Sequence, residues 1–264
     1  MDLLLSDGAR LAYQVRGSGP SILLFSPLGG SLVSWDAFAA ILSQSLRVIT
    51  FDPRGAGDSS DAPWAWTTRR CAADARALLD HLDVPRCHVY GISMGGMAAQ
   101  WLAIDEAARV DKLVLASTVP YGLEFRYQAL GRALSLALCL TKNATDVDAC
   151  LATRVLSHAF RAEHPDEVDR IRTLARVRPT TRANIARMLV AAARHDARSS
   201  LARIAAPTLV LVGARDPLPT GASQAELLTT IPNVRRAVIA EAGHDLSAES
   251  PIRTAEHVLA FLNE

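Results

Sequence analysis

The stretch His88-Val89-Tyr90-Gly91-Ile92-Ser93-Met94-Gly95-Gly96 decides how this chain is read. An apolar strand, Val89 to Ile92, runs into a G-x-S-x-G pentapeptide, and a helical pattern follows from Met97. This is a nucleophile elbow, a sharp strand-to-helix turn that lifts a serine hydroxyl above the end of a sheet. Gly91 and Gly95 lack the side chains that would collide in such a turn, and Ser93 is thereby held strained and exposed. Composition alone can produce the pentapeptide, so the flanking sequence has to agree with it.

Working outward, short β-rich runs alternate with helical patterns. Strands are expected at Leu11 to Val15, Ser21 to Phe25, Val48 to Phe51, His88 to Ile92, Lys112 to Ala116, Thr208 to Val212 and Arg236 to Ile239. Several are continuous apolar runs, as strands buried on both faces should be. Apolar residues at 3.6-residue spacing predict helices over Trp35 to Gln44, Thr67 to Leu82, Met97 to Glu106, Ala222 to Thr230 and Pro251 to Leu262. The alternation implies an α/β fold, a doubly wound and mostly parallel sheet. From Gly122 to about Ser200 the β-rich runs stop. That segment reads as an inserted helical lid (122–200) between two parts of one core (1–121 and 201–264). It holds 13 basic and 8 acidic residues, a net of +5, against −4 for the remainder.

A serine hydroxyl is a poor nucleophile at neutral pH and needs a base within hydrogen-bond reach. Two candidates follow later strands. His244 stands in Gly243-His244-Asp245 after Arg236 to Ile239, and Asp216 in Gly213-Ala214-Arg215-Asp216-Pro217 after Thr208 to Val212. The order Ser, Asp, His is the order of an elbow-type triad, and both residues fall at C-terminal ends of strands, where open α/β sheets assemble their sites. His244 would take the Ser93 proton and return it to the leaving group, with Asp216 orienting the imidazole. Asp245 is the weaker acid candidate, because neighbours in sequence rarely point at each other's side chains. A developing oxyanion needs fixed donors, one being the N–H after the nucleophile, here Met94. The second is expected in Ser26-Pro27-Leu28-Gly29-Gly30; Pro27 has no N–H, which leaves Leu28. Gly29 and Gly30 allow close substrate approach or simply make the turn.

With these residues placed, the chain resembles the α/β-hydrolase superfamily, in its serine-nucleophile branch, from end to end, least in the lid. Trp35 after the glycine loop, Asp52-Pro53-Arg54-Gly55-Ala56-Gly57-Asp58-Ser59, which looks like the family's D-x-R-G-x-G-x-S turn, and Gly243-His244 with Glu249 and Pro251 behind it carry the likeness. Many relatives have His-Gly at the oxyanion loop. Ser26-Pro27-Leu28 is instead similar to the S-x-S-L-G pattern of 3-oxoadipate enol-lactonases. The resemblance implies hydrolysis of a small ester or lactone through an acyl-enzyme. The same elbow also serves esterases, perhydrolases, carbon–carbon bond hydrolases and natural-product tailoring enzymes, and some proteins of this fold only bind ligands. Serine at the elbow argues against dehalogenase and epoxide-hydrolase chemistry, which uses aspartate there.

Composition sets further bounds. A chain of 264 residues, half of them apolar, buries a full core as one domain. A net charge of +1 without long charged runs gives no case for nucleic acid, and a small-molecule partner fits better. No G-x-G-x-x-G or P-loop follows a strand, so no cofactor is expected. Cys71, Cys87, Cys139 and Cys150 form no CxxC pair or Cys/His cluster. No metal is expected, and reduced, mostly buried thiols in a cytoplasmic protein are the reading. Met1-Asp2-Leu3-Leu4-Leu5 carries an acid and no basic run, unlike a secretory signal. Ala133 to Leu140 is too short to span a membrane. Trp64 and Trp66 are candidates to line the pocket or to cover the core edge. Met97 and Trp101 read as packing residues, and His158, His164 and His195 as lid histidines. Arg126, Arg154 and Arg187 read as a solvated helix face with the chemistry to hold a carboxylate.

Overall fold

Successive residues of Ser21–Phe25 enter opposite apolar clusters: Leu23 and Phe25 pack on one face of the sheet, Ile22 and Leu24 on the other. The same division runs through Cys87–Ile92, where Val89 joins the first cluster and Tyr90 and Ile92 the second. A strand with both faces covered needs apolar side chains at every position, which is why these segments read as continuous runs. In the computed structural model, which describes residues 1–122, 139, 147–218 and 221–264, eight strands form one sheet. They are β1 (Asp2–Leu4), β2 (Arg10–Arg16), β3 (Ser21–Phe25), β4 (Arg47–Phe51), β5 (Cys87–Ile92), β6 (Val110–Ala116), β7 (Thr208–Gly213) and β8 (Val234–Ile239), in the order β1-β2-β4-β3-β5-β6-β7-β8. β1 and β2 are antiparallel to their neighbours, and the remaining pairings are parallel.

Two helices cover the first face. They are α2 (Thr68–His81), whose Cys71, Ala75, Leu78 and Leu79 are buried, and α3 (Met94–Asp105), buried along most of its length. Thr67 caps α2 by accepting from the Arg70 N–H at 3.1 Å. The second face is covered by α1 (Asp36–Leu42) and the C-terminal helix Pro251–Leu262. The expected strands and helices are present with ends shifted by a few residues. β1, three residues at an exposed edge, is an addition.

Between β6 and β7 the described residues include four α-helices: α4 (Val147–Arg154), α5 (His158–Glu163), α6 (Pro165–Val177) and α7 (Arg182–Ala193). Arg126 lies outside the described residues. The remaining helices are α8 (Gly221–Thr230), α9 (Leu246–Glu249) and α10 (Pro251–Leu262). The expectation of four reduced thiols is corrected: Cys139 and Cys150 form a disulfide across a sequence separation of 11, with Cα atoms 5.6 Å apart. Neither residue's local sequence carries that information. Cys71 and Cys87 are free and buried. Among the described residues no helix is long and apolar enough to cross a membrane.

Candidate active site

The parallel strands β3, β5, β7 and β8 end on one side of the sheet, and each delivers a residue there. At the end of β5, Ser93 has φ 54° and ψ −122°, a backbone conformation L residues rarely hold. Two contacts over-determine it: Ser93 N–H donates to the Ala116 carbonyl at 2.9 Å, and Thr118 Oγ1 donates to the Ser93 carbonyl at 2.6 Å. The flanking glycines are required by space. A Cβ on Gly95 would stand 2.2 Å from the Phe25 carbonyl oxygen, and one on Gly91 would stand 2.6 Å from that of Gly95. Their absence lets the start of α3 close onto the loop after β3.

His244 Nε2 is 2.9 Å from Ser93 Oγ, and its Nδ1 is 2.9 Å from Asp216 Oδ2. Both side chains are buried. Asp216 is oriented by the Leu218 N–H, which donates to Oδ1 at 2.7 Å, while the β7 and β8 loops are joined by Arg215 N–H to the Ala242 carbonyl at 2.9 Å. Burial alone would push the His244 imidazole down. Asp216, at hydrogen-bond distance, and then Asp245 and Glu249 reverse this and hold its pKa above the ordinary 6.5. With Nδ1–H directed at the Asp216 carboxylate, Nε2 is the basic nitrogen facing Ser93. Asp245 instead caps α9, its Oδ1 accepting from Ser247 Oγ at 2.8 Å and the Ala248 N–H at 3.1 Å.

On the opposite side of Ser93, Pro27 to Gly30 form a tight turn closed by the Gly30 N–H to the Pro27 carbonyl at 2.9 Å, with Gly29 at φ 74°. Gly29 therefore both makes the turn and lines the site. The loop is pinned at its two ends. Trp35 Nε1 donates to the buried Ser26 Oγ at 2.8 Å, and the Leu32 N–H donates to Asp52 Oδ1 at 2.6 Å. Asp52 Oδ2 also accepts from the Asp58 N–H at 2.9 Å, so the Asp52 to Ser59 turn buttresses this loop. Leu28, Met94 and Ser93 border one cavity of about 390 Å³ together with His244, and Met94, as the first residue of α3, has an N–H without an intrahelical acceptor.

The segment between β6 and β7 supplies the other walls, through Leu151, Ile171, Leu174 and Leu189 on its helices and Val155 just after α4. Sequence periodicity makes these helices amphipathic but does not say which face meets the site. Met97, read as packing, packs and also lines the cavity. Trp64 and Trp66 do not line it. Trp66 is buried in the core, while Trp64 is 64% exposed with the Arg187 guanidinium 5.0 Å from its ring centre. Trp66 and the methyl of nearby Ala62 are buried in the core cluster, which turns this part of the loop inward.

His158 and His164 bound α5 without reaching the cavity. His195 is buried, its Nδ1 accepting from Trp101 Nε1 at 3.2 Å and lying 3.0 Å from Thr68 Oγ1; burial lowers its pKa to about 4 and keeps it neutral. Glu249 is the residue whose place the sequence did not reveal. Its two carboxylate oxygens accept from the Gly243 N–H at 2.9 Å and the Ser157 N–H at 3.1 Å, joining the His244 loop to the cap of α5. Among the described residues no cluster of three or more His, Cys, Asp or Glu could hold a metal ion.

Residues 20–251 match the family described as the alpha/beta hydrolase fold. The chain is 31% identical over 254 residues to 3-oxoadipate enol-lactonase 2 of Acinetobacter baylyi, covering 95% of this chain and 92% of that protein. Two solved structures are similar throughout. A hydrolase from Pseudomonas aeruginosa has 32% identity and a TM-score of 0.86, over 100% of this chain and 98% of that one. The enol-lactonase from Burkholderia xenovorans has 25% identity and a TM-score of 0.87, over 100% of both chains.

Proposed function

Because the chain belongs to the alpha/beta hydrolase fold family, we propose that it is a serine hydrolase of small esters or lactones working through an acyl-enzyme. The enol-lactonase relatives support a hydrolase acting on an ester or lactone. The observation that carries the finer reading is the bridge made by one buried imidazole, 2.9 Å from Ser93 Oγ on one side and 2.9 Å from Asp216 Oδ2 on the other.

In this reading Ser93 Oγ bonds to the substrate carbonyl carbon as its proton passes to His244 Nε2. The carbonyl oxygen takes the negative charge and is met by the backbone N–H groups of Leu28 and Met94. Collapse breaks the bond to the leaving oxygen, which collects the proton from His244, and the acyl group remains on Ser93. Water, deprotonated by His244, then adds to the ester carbon, and the Ser93 oxygen leaves with the proton to free the acid. In a lactone the leaving oxygen stays tethered to the acyl group, and one hydroxy acid is released. Asp216 stabilises the imidazolium in both halves. The segment 122–200 acts as a lid over the core of 1–121 and 201–264, with α4, α6 and α7 facing the substrate.

The test is covalent. An organophosphonate probe should label the native chain at Ser93, and Ser93→Ala should lose both labelling and turnover, the latter by about five to six orders of magnitude. Retained labelling in that variant would refute the assignment.

A further inference from the structure

The walls of the cavity above Ser93 are largely aliphatic, from Leu28 and Met97 on the core side to Ile171 and Leu174 on α6 and Val155 just after α4, and no Phe, Tyr or Trp ring lines it among the described residues. Two guanidiniums reach the lining, and each already faces a carboxylate. Arg170 Nε is 2.8 Å from one Glu167 oxygen and 3.0 Å from the other, and Arg178 pairs with Asp58. Asp36, also on the lining, accepts from Arg16 Nη1 at 2.8 Å. Beside His244, Asp245 also lines the wall, and its carboxylate is held in the α9 cap by Ser247 Oγ and the Ala248 N–H.

A substrate carboxylate entering this space would give up its hydration, find no unpaired cation among the described residues, and approach the Asp245 carboxylate. An alkyl chain would exchange water for a lining that is mostly aliphatic. We propose that the site selects neutral esters or lactones carrying an unbranched alkyl chain of medium length, and rejects substrates of the same length that end in a carboxylate. Asp245 and the Leu174 side of the wall are the specificity-determining positions. This rests on the reading of Ser93 as the acyl-accepting nucleophile and adds the class of acyl compound to it.

Methyl hexanoate and monomethyl adipate have six-carbon acyl chains that differ at the far end, methyl against carboxylate, and acid release by titration at constant pH follows both. A γ-lactone with a butyl substituent and the same lactone with its chain ending in carboxylate form the second pair. The expected result is kcat/KM at least about a hundredfold higher for each neutral member. Equal or higher values for the carboxylates overturn the proposal. Leu174→Arg, which places a guanidinium without a facing acid in the half-buried wall, and Asp245→Asn, which removes the opposing charge, should each shift the ratio toward monomethyl adipate by about tenfold. A ratio unmoved in both variants overturns the electrostatic cause. Organophosphonate labelling on the same preparations separates the two levels. A protein that labels at Ser93 yet prefers the carboxylates overturns the specificity alone, and a native chain that neither labels nor turns over either pair overturns the nucleophile reading together with it.

Discussion

Ser93, His244 and Asp216 lie 28 to 151 positions apart in sequence, yet two hydrogen bonds of 2.9 Å join them. The physical character of the group is set mostly by carboxylates. Burial pushes His244 down and the charges of Asp216, Asp245 and Glu249 push it up, with the rise prevailing. In the proposed mechanism the base is the neutral imidazole, so activity should be lost as pH falls through the raised pKa. The acid limb of kcat/KM for methyl hexanoate is therefore expected above pH 6.5, the ordinary histidine value. Asp216→Asn should move that limb to lower pH and reduce kcat by about four orders of magnitude. A limb at or below 6.5 in the native chain would contradict the assignment. That these three residues meet was legible in the sequence because each follows a strand and their order is that of the elbow-type triad. The surroundings that tune them were not, since Asp245 and Glu249 act through distances that no local pattern encodes.

At the scale of elements, the site is a set of strand-end loops held to one another. Gly95 lets the start of α3 approach the Phe25 carbonyl, Asp52 holds the loop after β3 from below, and Thr118 ties the elbow to the end of β6. Glu249, at the end of α9, is the positioning residue that reaches farthest, since it joins the peptide before His244 to the first turn of α5. Glu249→Ala leaves both N–H groups without their acceptor, a loss of about 1–3 kcal/mol for each that stays buried, and should lower kcat about tenfold through a loosened His244 loop. Glu249→Gln keeps the shape, one acceptor and no charge. It should recover most of kcat while shifting the acid limb of kcat/KM to lower pH, because one of the carboxylates raising His244 is gone. A merely structural role would not move that limb, and an unchanged kcat and pH profile in Glu249→Ala would refute the coupling. The D-x-R-G-x-G-x-S turn, the elbow and the Gly-His pair could each be recognised from residue types. That Asp52 and Glu249 fasten one loop to another could not, because a long-range hydrogen bond leaves no periodicity behind.

The whole molecule divides into a part the sequence specifies closely and a part it specifies loosely. Strands with two buried faces must be apolar throughout and helices against them must repeat every 3.6 residues, so β2 to β8 and the five expected helices were readable to within a few residues. β1 was not, being short, exposed and without a repeating pattern. Trp64 and Trp66 show the same limit from another side: aromatic content marked the loop, but its direction came from packing against the core. The Cys139–Cys150 disulfide belongs to the loosely specified part and constrains it. Cys150 sits on α4 directly before Leu151 and Ala152, both in the cavity wall, so the bond restrains the helix that shapes the substrate space while the Ser93 elbow lies on separate elements. Closing a short loop of this kind contributes at most about 3 kcal/mol. Cys71 and Cys87 are buried thiols whose pKa values burial raises, that of Cys87 to about 12, so they remain protonated and do not take part in exchange. Mild reduction should therefore act on one bond. It is expected to lower Tm by a few degrees and raise KM for methyl hexanoate severalfold, with the rate of labelling by a small methylphosphonate probe unchanged. Cys150→Ser should reproduce these changes and abolish any further response to reductant. If reduction instead slows labelling as much as turnover, or if Cys150→Ser responds to reductant as the native chain does, the bond does not act through the cavity wall.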